Sequence, residues 1–286
     1  MKNGENPFMA YVETLAERAE VAIPRADGDY IGENGLLYCG KCNTPKECIP
    51  VPELPNFKPR CLCKCAKENQ EAEERERKKA ERVRMIEQNR KSGITDLKIL
   101  KYTFENDKYP ESEISVRLRK YCAEWKKALD NNLGLLLWGG CGVGKSFYAG
   151  CVANSLIDNG VRALCTSIPK LINGIFSAEY KNAYINSIVE YPFLVIDDLG
   201  TERGTEYALE QLFTLIDERY KSNLPTIITT NLNPRDMAAV NDIAYKRIYD
   251  RVTEMCVPMY VKGEAQRTAA AKSKAQMLKD ILGEKI

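Results

Sequence analysis

The stretch that most constrains this chain is Leu133–Phe147, LGLLLWGGCGVGKSF. A short apolar run (Leu133, Leu135, Leu136, Leu137, Trp138) stops abruptly at Gly139 and Gly140. Gly139, Gly144, Lys145 and Ser146 then follow the spacing G-x-x-x-x-G-K-S. Such a run reads as a strand buried on both faces of a parallel sheet. Glycines directly after it let the backbone turn with its N–H groups pointing inward, a shape suited to anionic oxygens. A helix opening at the loop adds unpaired N–H groups and a favourable dipole. Gly139, Gly140, Cys141, Gly142, Val143, Gly144, Lys145, Ser146 and Phe147 are therefore expected to cradle nucleotide phosphates. Lys145 would reach the β- and γ-phosphates, and the Ser146 hydroxyl would hold Mg²⁺.

A second apolar strand, Phe193–Ile196, ends in the carboxylates Asp197 and Asp198, some fifty residues downstream of the loop. In an open parallel sheet ligands bind beyond the carboxyl ends of the strands, so both sets of residues belong at one edge. Asp197 is placed to hold Mg²⁺ and Asp198 to orient or deprotonate an attacking water. A third strand, Pro225–Thr230, ends at Asn231, whose amide would face the same edge. A helix over Ile243–Glu254 sets Arg247 and Arg251 one turn apart. The last helix, Ala265–Leu282, carries Arg267 in its first turn, where a cation is poorly matched to the helix dipole and a phosphate would give it a purpose.

Histidine is absent, which excludes histidine general bases, Ser-His-Asp triads and zinc sites with histidine ligands. Lysine and arginine total 42 against 40 acidic residues, so net charge argues neither for nor against nucleic acid. Six of the eleven cysteines crowd between Cys39 and Cys65. Cys39 and Cys42 form a C-x-x-C knuckle, and a second pair must come from Cys61, Cys63 and Cys65, with Cys48 a less favoured spare. A structural four-thiolate Zn²⁺ is expected there, since so small a module has little core of its own. The other cysteines, Cys122, Cys141, Cys151, Cys165 and Cys256, read as small buried residues.

The chain divides into an N-terminal helix and cysteine module (1–66), a charged helical linker (67–93) and an α/β domain with a parallel sheet (94–286). The first helix is expected over Glu5–Val21. The linker carries Glu71/Arg75, Glu73/Arg77 and Glu74/Lys78 at i,i+4 spacing. A single helix is expected over Glu111–Asp130. No apolar run approaches the roughly 20 residues of a membrane span and no secretory h-region opens the chain, so a cytoplasmic location is expected.

In this order the motifs resemble the AAA+ ATPases, and within them the bacterial and phage replicative helicase loaders of the DnaC/DnaI type. The resembling segments are TFEND at Thr103–Asp107, GGCGVGKS at Gly139–Ser146, VIDDLGTE at Val195–Glu202, TTNL at Thr229–Leu232, RIYDRV at Arg247–Val252 and GEAQR at Gly263–Arg267. The resemblance implies ATP and Mg²⁺ as ligands, with Lys145, Ser146, Asp197 and Asp198 in the phosphate-loop and acidic-strand places. It makes Asn231 the first sensor, Arg251 a finger reaching a neighbouring subunit's nucleotide, and Arg267 the second sensor. Aspartate at 198, where many relatives carry glutamate, implies slow hydrolysis suited to a switch. The family further implies self-association, a replicative DNA helicase bound through the N-terminal module, and single-stranded DNA bound by the ATPase domain, with Lys170, Tyr180, Lys181 and Tyr184 as candidate contacts. The transposition helper ATPases of the IstB type share these core motifs and are the nearest rival. A small-molecule kinase and a non-hydrolysing adaptor are rivals of other classes.

Overall fold

The computed structural model describes residues 26–49, 58–201, 205–263 and 266–283. The helix expected at Glu5–Val21 lies outside them. The chain forms two compact units, Met1–Glu81 and Arg82–Ile286.

In the first unit β1 (Tyr30–Ile31) pairs antiparallel with β2 (Leu37–Tyr38). The Tyr30 and Tyr38 rings stack across the pair at 5.7 Å. Gly40 admits no side chain, because a Cβ there would lie 2.0 Å from the Gly28 carbonyl oxygen. Residues 46–48 then run antiparallel to 59–61, with the Cys48 N–H donating to Pro59 O and the Cys61 N–H to Lys46 O. Helix α1 (Lys64–Gly93) begins directly after this pairing and spans the boundary between the units. The absence of glycine and proline before Gly93 and its i,i+4 ion pairs, Lys78 with Glu74 among them, explain its length.

The second unit is built on a five-stranded sheet in the order β4-β5-β6-β3-β7, parallel throughout. Its strands are β3 (Gly134–Trp138), β4 (Ala163–Ser167), β5 (Phe193–Leu199), β6 (Thr226–Thr230) and β7 (Cys256–Tyr260). Alternate residues feed two cores. Leu135, Leu137, Phe193, Val195 and Ile227 pack on one face, and Leu136, Leu194, Ile196 and Ile228 on the other. Burial on both faces is what makes these strands read as unbroken apolar runs.

Helices cover both faces: α2 (Glu113–Ala123), α3 (Trp125–Asp130), α4 (Lys145–Asp158), α5 (Ile168–Ser177), α6 (Lys181–Val189), α7 (Glu206–Lys221), α8 (Pro234–Ala238), α9 (Ile243–Met255) and α10 (Gln266–Leu282). The single helix expected over Glu111–Asp130 is broken at Glu124, where ψ moves to 23°. Beyond the break the Trp125 ring meets Phe193 edge-on at 5.4 Å. Helix α8 is an addition to the expected order. Its signal is the pair Asn233-Pro234, in which the Asn233 side chain caps the helix and proline fills the first turn.

Arg219 is buried completely at the end of α7. It donates to the carbonyls of Val189, Tyr191 and Pro225 and to the Thr226 hydroxyl, joining the ends of four segments. Among the described residues no helix is long and apolar enough to cross a membrane.

Candidate nucleotide site and cysteine centre

The backbone after β3 turns through left-handed conformations at Gly142 and Gly144, with φ of 78° and 104°. Gly139 is required for a second reason: a Cβ there would stand 2.6 Å from the Val261 carbonyl oxygen. No side chain caps the N-terminus of α4 at Gly144, so the first-turn N–H groups face the loop. Lys145 is buried and spans the loop, donating from Nζ to Gly139 O at 3.0 Å, Gly140 O at 2.7 Å and Asn231 Oδ1 at 2.7 Å. The tip of β6 is thereby joined to the loop.

These groups line a cavity of about 500 Å³, a volume typical of small-ligand sites. Cys141, Gly142, Gly144, Lys145, Ser146 and Phe147 contribute to its wall, with Asp198 and Asn231 from the neighbouring strand tips. Asp198 adopts φ of 61°, uncommon for a non-glycine residue. Asp197, one residue earlier, accepts a 2.5 Å hydrogen bond from the Thr229 hydroxyl. Its carboxylate and the Ser146 hydroxyl are hard oxygen donors of the kind Mg²⁺ takes. Tyr102, Lys108 and Thr201 also line the cavity. Sequence reasoning missed them; only the position of Tyr102 beside TFEND hinted at one. The Tyr102 ring packs edge-on against Phe147 at 5.4 Å.

One expectation is corrected by the structure. Cys141 is exposed, not buried, because it occupies the turn of the loop rather than an apolar element. Arg251 does not line this chain's own cavity. It donates from Nε to Asp217 Oδ1 at 3.1 Å, lies 3.6 Å from Glu254, and stacks 4.4 Å above the Tyr220 ring. Arg247, a turn earlier, covers Phe213. Val143 is buried in the core, and its carbonyl lies 3.2 Å from where a Cβ on Gly263 would stand. The chain therefore passes close over the loop shortly before α10, whose first turn holds Arg267.

Of the candidate nucleic-acid contacts, Tyr180 and Lys170 are exposed. Lys181 covers the Tyr207 ring at 5.0 Å. Tyr184 packs against the core instead, with its hydroxyl filling the space above Gly174.

In the first unit the sulfurs of Cys39, Cys42, Cys63 and Cys65 all lie within 4.8 Å of one another. The choice left open by the sequence thus falls on Cys63 and Cys65. Cys61 stays on the extended segment, where its thiol points at Pro45 O, whereas the chain turns into α1 at Lys64 and swings residues 63 and 65 toward the knuckle. Cys48 is exposed and outside the cluster. The Thr44 hydroxyl, 3.1 Å away, and the Cys65 N–H hold the Cys42 thiol down at about 5. The neighbouring thiols of Cys63, Cys39 and Cys42 push Cys65 up to about 12. Four converging sulfurs with no histidine or carboxylate make a donor set that can hold zinc, with no position left open for chemistry.

Comparison with known proteins agrees with this architecture. The replicative helicase loader DnaI of Bacillus subtilis (strain 168) is 24% identical over 152 residues, 47% of this chain and 47% of that protein. The replicative helicase loader DnaC of Escherichia coli (strain K12) is 24% identical over 156 residues, 52% of this chain and 62% of DnaC. The chain therefore spans about half the length of the first relative and less than two thirds of the second. The crystal structure of DnaI matches with a TM-score of 0.50 at 21% identity, covering 60% of this chain and 94% of that one. That of the DnaC helicase loader matches with a TM-score of 0.51 at 22% identity, covering 58% and 100%. The fold is thus the α/β P-loop fold of AAA+ ATPases, preceded by a small cysteine-bearing module. Residues 67–275 match the family described as "IstB-like ATP binding protein", and over this majority of its length the chain belongs to the IstB-like ATP-binding family.

Proposed function

We propose that this chain is an ATP-hydrolysing replicative helicase loader. The observation that carries the hydrolytic part is the convergence of Lys145, Ser146, Asp198 and Asn231 on one cavity at the carboxyl edge of the sheet. In this reading Lys145 and the loop N–H groups bind the triphosphate. Ser146 and Asp197 hold Mg²⁺, whose chemistry is neutralisation of the phosphate charge. Asp198 orients the attacking water, and Asn231 fixes the γ-phosphate side of the cavity.

Arg251 is the finger of this scheme. It is half exposed and held by Asp217 and Tyr220 away from its own cavity, an arrangement suited to presentation toward a neighbouring protomer. An arginine supplied in trans is worth about 10³–10⁵ in rate, so turnover should depend on assembly. Arg267 completes the site from α10. The loader role rests on the relatives named DnaI and DnaC, whose names state it for them. The zinc-bearing module, which lies ahead of the matched residues 67–275, would grip a replicative helicase. Residues 67–93 would join it to an ATPase domain over 94–286 that tracks single-stranded DNA in the cytoplasm.

The test is ATP turnover and complex formation by the full chain, with and without single-stranded DNA and a hexameric replicative helicase. A loader forms a stable complex with the helicase, and Arg251→Ala keeps ATP binding while losing assembly-dependent turnover. Mixing Arg251→Ala with Asp198→Asn should then recover part of the activity, and no recovery would remove the support for action in trans. The family match itself favours a second reading, a transposition helper of the IstB type. Stimulation of a transposase with no helicase complex would decide for it.

A further inference from the structure

The two carboxylates of the nucleotide site sit on an irregular stretch of β5. Strands β5 and β6 pair in register through Ile196↔Ile228 and resume at Leu199↔Thr230. Asp197 and Asp198 therefore face the single residue Thr229 across the sheet. An extra residue on one strand is a β-bulge, a device that re-aims side chains and interrupts the ladder of backbone hydrogen bonds. Here it coincides with the left-handed Asp198, at φ 61°.

The Thr229 side chain stands in for the interrupted ladder. Its hydroxyl accepts the Asp198 N–H at 2.9 Å and donates to Asp197 Oδ1 at 2.5 Å. One hydroxyl can do both, having one proton to give and lone pairs to receive. Thr229 is completely buried, so no water competes for either bond. The next residue closes the other side of the bulge: the Thr230 hydroxyl donates to Leu199 O at 2.8 Å and accepts the Leu232 N–H at 3.1 Å. No property of the motif spacing announces this, because the two partners lie some thirty residues apart in the chain.

We infer that Thr229 is the positioning residue of the acidic pair, fixing the Asp197 carboxylate and the Asp198 backbone so that Asp198 is presented to the nucleotide cavity. Thr229 does not line the cavity, so it acts only through the aspartates. The inference rests on the hydrolytic reading of the site given above.

The test uses the full chain carrying Thr229→Val, which keeps the shape and removes both bonds, and Thr229→Ser, which keeps the hydroxyl. In nucleotide-free protein the Asp198 amide should exchange with solvent at least about tenfold faster in the valine variant, and return toward wild type in the serine variant. In single-turnover assays valine should slow ATP hydrolysis by about 10–100-fold, the range found when a partner of a metal ligand is removed. Affinity for ATP measured without Mg²⁺ should stay within about twofold, because the phosphate loop is untouched. Where valine prevents folding, Thr229→Ala carries the same measurements. An Asp198 amide equally protected in the hydroxyl-free variant, or unchanged turnover in that variant, overturns the inference. A wild-type chain that binds ATP and never hydrolyses it overturns the hydrolytic reading instead, and amide exchange alone then decides whether Thr229 holds the bulge.

Discussion

In the second unit Leu136, Leu137, Phe193, Leu194, Ile196 and Ile228 are fully or almost fully buried from both faces of one sheet. Around the cysteines, Leu36 is the one buried aliphatic side chain among the described residues, and Cys39 and Cys63 are the other buried apolar groups. The first region has the apolar area to fold on the hydrophobic effect, at about 25 cal/mol per Å² removed from water. Among its described residues the second offers little beyond two short strands, a further antiparallel pairing and the start of α1, and a metal held by its thiols would supply the stability its core cannot. The division of labour follows: the large unit can keep a strained, polar sheet edge for chemistry, whereas in the small one the cluster that would supply function also supplies the fold.

The widest gap between the two should come from removing a thiolate. Structural zinc contributes about 10–16 kcal/mol of folding free energy in small domains. Cys63→Ser, or chelation of the wild-type protein, should therefore release one zinc per chain and expose residues 26–63 to proteolysis, while the thermal transition of the second unit stays in place. Zinc analysis showing no metal, or protection that survives chelation, would break the comparison.

The complementary experiment strikes the large unit alone. Arg219→Met would leave the carbonyls of Val189, Tyr191 and Pro225 without their buried donor. Each unsatisfied group costs about 1–3 kcal/mol, so a loss of about 3 kcal/mol or more should appear in denaturant unfolding of this unit, with zinc content unchanged.

Much of the nucleotide unit was legible in the sequence, for a physical reason. Strands buried on both faces are continuous apolar runs, and a phosphate loop demands glycine at fixed offsets, so Gly139, Gly144 and Lys145 are found by spacing alone. Asp197, Asp198 and Asn231 follow because parallel strands end on one edge. What depended on distant parts of the chain was not legible. Cys61, Cys63 and Cys65 are equivalent until the chain turns into a helix at Lys64. Arg219 reads as an ordinary cation near a helix end, although the fold buries it among carbonyls. Tyr102, Lys108 and Thr229 become neighbours of the site only when the sheet closes. Asp217 and Tyr220, which hold Arg251, lie on α7, the helix against which α9 packs.

The cavity at Gly139–Ser146 should bind ATP through Lys145, and isothermal titration of the full chain with ATP and Mg²⁺ reads this without any need for assembly or a partner. The wild-type protein should bind one ATP per chain, and Lys145→Ala should lose at least about 100-fold in affinity, as removal of a buried charge partner costs roughly 3–5 kcal/mol. Binding by Lys145→Ala equal to that of the wild type would rule out a nucleotide site built on Lys145.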